Sequence, residues 1–131
     1  MERTHVIWPP GTDREMRREL ASTLTAMGVN IVNAPSEATA ILAVRRNDRG
    51  QRVLSVSATN VPEEFEVYHV VVFDLVSGQE ILLRNEIITL TRDYVFDETR
   101  VLAKEREQEI ISQALARDMI RQIRRRLTLV N

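Results

Sequence analysis

"EEFEVYHVVVFDLVSGQE", residues 63–80, decides the fold. Apolar side chains recur at every second position, so Phe65, Val67, Val71, Phe73 and Leu75 share one side of an extended chain. Ser77-Gly78 then turns the chain back. The following stretch, "EILLRNEIITLTRDYVF" (80–96), also alternates but falters at Asn85-Glu86, where the spacing predicts a bulge. On the other side, "QRVLSVSATN" (51–60) sets Leu54, Val56 and Ala58 against Ser55, Ser57 and Thr59. "NDRG" (47–50) predicts a turn just before it. Three successive strands joined by short turns read as an antiparallel meander.

Upstream, "RTHVIW" (3–8) is a short β-prone run that stops at Pro9-Pro10-Gly11. "TDREMRRELASTLTAMG" (12–28) has Met16, Leu20, Leu24 and Met27 at helical spacing, a Thr12/Glu15 capping box and Gly28 at the C′ position. A strand follows from Thr39 to Arg46, so the β-α-β start predicts a parallel pair with a right-handed crossover. From Asp97 to Leu127 the pattern is one helix, with Ile111, Leu115, Met119, Ile123 and Leu127 advancing by fours and Ile120 widening the stripe. At the helical rise it spans ~45 Å, against a radius of gyration of ~14 Å for a domain of this size. The helix therefore runs the length of the domain. The expectation is a single α+β domain over residues 1–131, two-layered. Its sheet is mixed but mostly antiparallel, with about four strands and two helices packed on one face.

The composition excludes several classes of function. A net charge of -1 argues against a protein that binds nucleic acid with its whole surface. There are no cysteines, which removes disulfides, thiolate metal sites and cysteine nucleophiles. No apolar run reaches the ~20 residues that span a bilayer. The first residues, "MERTHVIWPPG", show no apolar core of a secretion signal.

Residues for catalysis are hard to assemble. His5 and His69 fall on different strands without a second ligand at metal spacing, and His69 reads as a hydrogen-bonded core histidine. Four scattered glycines build no phosphate loop. Carboxylate pairs such as Glu63-Glu64 and Asp97-Glu98 sit in turns or at the helix start. A small enzyme is thus disfavoured, and no cofactor is expected. Arg117, Arg121, Arg124, Arg125 and Arg126 crowd the end of the long helix. They read first as complements to the helix dipole and second as a site for an anionic ligand. A nucleic-acid-binding module using this end is the competing function, weakened by the absence of interleaved aromatics.

Binding surfaces are easier to find. Tyr68, Val70 and Val72 lie on the strand side opposite Phe73, so the meander is apolar on both faces while two helices cover one. An uncovered apolar face predicts a protein partner. Arg92, Tyr94 and Phe96 project to one side of their strand, with Asp93 and Val95 opposite. Lys104 emerges one to two turns into the helix that follows.

"RDYVFDETRVLAKEREQE" followed by "ARDMIRQIRRRL", and preceded by "EEFEVYHVVVFDLVSGQEIL", resembles the lipopolysaccharide-assembly lipoproteins of the outer membrane, the LptE family. The resemblance runs from about Val53 to Leu127, and more loosely through "MRRELASTLTAMGVNIVNAPSEATAIL" upstream. It implies a non-enzymatic lipoprotein at the periplasmic face of the outer membrane, attached by an N-terminal lipid. Such a protein plugs the β-barrel protein LptD and assists delivery of lipopolysaccharide to the cell surface, without binding nucleic acid. The leader and the acylated cysteine of that family do not occur here; the sequence is expected to begin downstream of them, with Met1 supplied by cloning. The resemblance further implies lipopolysaccharide contacts at Lys104, which matches the family's lysine, and secondarily at Arg92 and Arg52. Tyr68, Val70, Val72, Tyr94 and Phe96 are the expected partner contacts.

Overall fold

The structure, a computed structural model, describes residues 1–95 and 101–130, the side chains of 101–104 excepted. Strand β1 (Arg3–Ile7) leads to helix α1 (Arg14–Ala26), a two-residue strand β2 (Asn30–Ile31) and a 3-10 turn at Pro35–Glu37. Three long strands follow, β3 (Ala40–Val56), β4 (Pro62–Ser77) and β5 (Glu80–Val95), and helix α2 (Val101–Val130) ends the chain. The sheet order is β2-β1-β3-β4-β5. β1 runs parallel to both β2 and β3, and β3-β4-β5 is the expected antiparallel meander.

The α+β architecture is as the sequence predicts, but the sheet has five strands where about four are expected. The additional one is β2, too short for any alternation to register. A larger correction concerns Asn47–Gly50. These residues make no turn: Asn47, Asp48, Arg49 and Gly50 pair in register with Val71, Val70, His69 and Tyr68. β4 offers an unbroken ladder of backbone partners, and that ladder overrides the local turn preference of the four residues. The irregularity falls instead at Arg45, where the register shifts between Val44 and Arg46.

The N-terminus of α1 is also displaced by one residue. Asp13 is the cap, its carboxylate accepting the Met16 N–H at 3.0 Å, while Thr12 Oγ1 donates to the Pro9 carbonyl at 2.8 Å. Gly28 closes the helix at a φ of +86°, as its position predicts. The bulge in β5 is present: Phe73 pairs with Glu86 and Leu75 with Leu83, leaving two residues opposite Asp74. Asn85 takes a φ of 51°, and its N–H donates to the Asp74 carboxylate at 2.7 Å. Beyond it Ile88 turns into the core and Ile87 out to solvent.

One face of the sheet carries the core. Met16, Leu20 and Leu24 of α1 and Met119, Ile120, Ile123 and Leu127 of α2 close over Leu42, Val44, Val71, Phe73, Leu75 and Ile88. Burial alternates strictly along β4 from Phe65 to Leu75, so one set of side chains is enclosed and the intervening set is not. The start expected for α2, Asp97 to Arg100, lies outside the described residues; its far end reaches Val130, three residues past the expected Leu127.

Candidate functional site

The register sorts the expected contact residues between two faces. Directly paired residues in an antiparallel ladder share a face. Tyr94 pairs with Phe65 and Arg92 with Val67, so both lie on the helix-bearing side. Tyr94 stacks on Phe65 with ring centroids 5.4 Å apart and planes at 15°. Its hydroxyl donates to Gln51 Oε1 at 3.2 Å, and burial followed by the Glu107 carboxylate raises its pKa above the usual phenol value. Tyr94 is thus a packed aromatic facing α2. Arg92 is exposed, with no ion pair among the described residues. Phe96 lies outside the described residues, as does the side chain of Lys104.

Tyr68, Val70 and Val72 stand on the uncovered side, each half-buried by neighbours in the sheet alone. Ile41 and Val76 continue this face along β3 and β4, and Ile81 and Ile87 extend it onto β5, 53% and 58% exposed. The sequence reading misses Ile87. Only the bulge puts it outside while its neighbour Ile88 goes in, and a suspected bulge has to be placed to the residue before it predicts a face. These side chains form an apolar surface with no helix over it among the described residues.

Polar groups frame that surface. Arg52 Nε donates to Glu66 Oε1 at 3.0 Å, and its guanidinium lies 4.8 Å from the centre of the Tyr68 ring. The ring in turn covers Gly50, where an added Cβ would come within 2.6 Å of the tyrosine oxygen. Gly50, read from sequence as a turn residue, leaves the space in which Tyr68 lies down. Gly50→Val is therefore expected to lift Tyr68 from the sheet and release Arg52. Tyrosine fluorescence quenching would report this as increased solvent access, with the fold retained. At the other end Arg45 pairs with Asp74 at 3.4 Å and with Asn85.

Arg52 and Arg92 consequently face opposite ways, and the structure does not gather them into one cationic site. The helix side has its own polar junction. Arg49 Nη2 donates to Ser112 Oγ at 2.9 Å and Arg49 Nη1 reaches Asp13 at 3.4 Å, tying β3 to both helices. Beneath it His69, 1% exposed, donates from Nε2 to Asn47 Oδ1 at 2.6 Å. Among the described residues its buried Nδ1 has no hydrogen-bond partner. Desolvation, and secondarily the Arg49 charge, lower its pKa to about 4. The ring is a neutral core group there. Among the described residues no cluster of His, Asp and Glu could hold a metal ion, and no helix is long and apolar enough to cross a membrane.

Residues 2–127 match the family model described as LptE: Lipopolysaccharide-assembly. No curated protein sequence matches the chain. Among solved structures it is similar to an uncharacterized lipoprotein B from Nitrosomonas europaea, at 27% identity over 95% of this chain and 80% of that one, with a TM-score of 0.81. The rare lipoprotein B of Shewanella oneidensis aligns at 22% identity over 96% and 93% of the two chains, with a TM-score of 0.79. A minor lipoprotein from Acinetobacter baumannii aligns at 22% identity over 95% and 88%, with a TM-score of 0.72. The last two likenesses concern the fold alone.

Proposed function

The chain belongs to the LptE lipopolysaccharide-assembly family, and from that premise we propose that it is a non-catalytic subunit plugging the outer-membrane β-barrel protein LptD. In the cell it works at the periplasmic face of the outer membrane as a lipid-anchored protein, and it binds lipopolysaccharide on its way to the surface. One observation carries the partner assignment. Both helices cover one face of the sheet, while Tyr68, Val70 and Val72, extended by Ile81 and Ile87, present the other to whatever lies outside. A plug enclosed by a barrel wall has a use for such a face; a free monomer gains nothing from it.

Photo-crosslinking tests the assignment. A crosslinking residue at position 70 or 72 is expected to capture LptD when the two proteins are co-expressed, and one at Arg18, exposed on α1, is expected not to. Capture from Arg18 with none from 70 or 72 would place the barrel against the helices and defeat the proposal.

Lys104 and Arg92 are the residues we assign to lipopolysaccharide phosphates. Arg52, held by Glu66 and stacked on Tyr68, belongs with the partner surface. Lys104 is the chain's single lysine and stands in the first turns of α2, where a cation opposes the helix dipole. A charge-assisted contact contributes about 1.5–3 kcal/mol. Lys104→Asp should therefore weaken lipopolysaccharide binding at least about tenfold, with the thermal melt nearly unchanged. An unaltered isotherm would remove Lys104 from the site, and a collapsed melt would assign it to the fold.

A further inference from the structure

A row of arginines follows the outer side of α2: Arg117, Arg121 and Arg125 are spaced by four, with Arg124 beside them. Arg126 stands apart, paired with Glu86 of β5. The helix dipole does not account for the row. Its field is confined to the terminal turn, and α2 continues to Val130 with no basic residue in its last turn. Pairing along the helix does not account for it either, because like charges four residues apart destabilise a helix. Arg121 is paired with Asp118, and Arg117 borders a cleft shared with Glu15 and Glu19 of α1. Arg124 and Arg125 have no ion pair among the described residues.

Around these two lies an open hollow of about 490 Å³ lined by Arg121, Gln122, Arg124, Arg125, Thr128 and Leu129. Leu129 is 77% exposed, the most exposed large apolar side chain among the described residues. Cations on one side of a helix, with an apolar residue at the rim, suit an anionic lipid surface. The charges meet the headgroups and the apolar group enters the acyl boundary. We infer that this end of α2 docks on the surface of an anionic phospholipid bilayer, Arg124 and Arg125 against the phosphates and Leu129 below them. A nucleic acid fits less well. The row has no aromatic to stack on bases, and a phosphate backbone offers Leu129 no apolar medium. The surface is distinct from the lipopolysaccharide contact proposed above, since Lys104 lies about 30 Å away along the helix at the helical rise.

Flotation of the purified chain with vesicles tests the inference. It should float with an equal mixture of phosphatidylglycerol and phosphatidylcholine, stay behind with phosphatidylcholine alone, and be released by salt. Each basic residue near an anionic leaflet contributes about fivefold, so Arg124→Gln/Arg125→Gln should lower the partition constant about 25-fold. Its circular dichroism melt should match that of the unaltered chain. Leu129→Ser should weaken flotation while keeping the salt dependence. Equal flotation on phosphatidylcholine alone would overturn the inference, as would indifference to the double arginine variant. Loss of flotation in Lys104→Asp alone would place the contact at the lipopolysaccharide site instead. Tighter binding to random duplex DNA than to the vesicles would replace the lipid by a nucleic acid.

Discussion

The double variant Val70→Asp/Val72→Asp is expected to weaken the proposed complex with LptD by more than about a hundredfold while remaining folded. Both valines point away from the helices, and their neighbours in the sheet leave them half-buried. In the free protein the new carboxylates stay in water, and the cost is the poor strand preference of aspartate, up to about 1 kcal/mol at each position. In the complex two charges would be enclosed against an apolar partner surface. Leaving a buried charge unpaired costs about 3–5 kcal/mol, and every 1.4 kcal/mol is tenfold in affinity. Size-exclusion chromatography of the co-expressed proteins, read beside a thermal melt of the isolated variant, separates the two effects. Val70→Thr/Val72→Thr serves as the control, since threonine keeps the branched shape and strand preference without a charge. A double aspartate variant that still elutes with the barrel protein would show that this face is not the interface.

Acid should destabilise the domain through His69, by about 3 kcal/mol in full. In the unfolded chain the imidazole has its ordinary pKa of 6.5, and in the folded chain the value is about 4. Above the unfolded value both states are neutral and the contribution is complete. As pH falls from 6.5 towards 4 the unfolded state takes up a proton that the native state refuses, so stability is lost across that window. Below it both states are protonated and the loss levels off. The structural cause is specific. Among the described residues Nδ1 has no acceptor to receive a new N–H bond, and the Arg49 guanidinium stands nearby. Only Asp13 opposes this effect, and it is already engaged by Arg49. His69→Gln keeps a donor for Asn47 and removes the titration. The urea midpoint of the unaltered protein should fall relative to that of the variant as pH drops from 6.5 towards 4, with a constant offset above the window, on a common carboxylate baseline. Parallel curves would mean that His69 is protonated in the native state as readily as in the unfolded one.

The parts of this fold legible in the sequence are those where one physical signal stood alone. β4 reads correctly because a strict period of two ran through Phe65, Val67, Val71, Phe73 and Leu75 with no competing preference. α2 reads correctly because its apolar residues advance by fours. Errors arose where local chemistry and long-range pairing disagreed. Asn47, Asp48, Arg49 and Gly50 have the composition of a turn, yet each is occupied in the folded protein. Asn47 bonds His69, Asp48 pairs with Arg46, Arg49 clasps α2, and Gly50 makes room for Tyr68. None of these partners is near in sequence, apart from Arg46, so no local window contains the reason. The candidate contacts show the same division. Val70 and Val72 announce themselves through alternation alone, whereas the placement of Tyr94 under α2 depends on its pairing with Phe65 across a bulged strand. The arginine row reads in the sequence as a dipole complement, and only the extension of α2 to Val130 takes it out of the last turn.

The extra residue at Asn85 gives β5 something like a reading frame. Just before it Leu83 faces the core, and downstream the even-numbered Ile88 and Leu90 do. Removing Asn85 would nevertheless leave that frame intact. Arg84 would stand alone opposite Asp74, between the Leu83–Leu75 and Glu86–Phe73 pairs, and Ile88, Leu90 and Tyr94 would keep their partners and their face. Removing a residue from the regular stretch beyond it, such as Thr89, would instead act as a frameshift written in side chains. Leu90 and Tyr94 would be turned to the outer face, although each keeps its identity. The extra residue is therefore slack in the strand, a place where the chain can lose a residue without changing which side chains it presents to its surroundings.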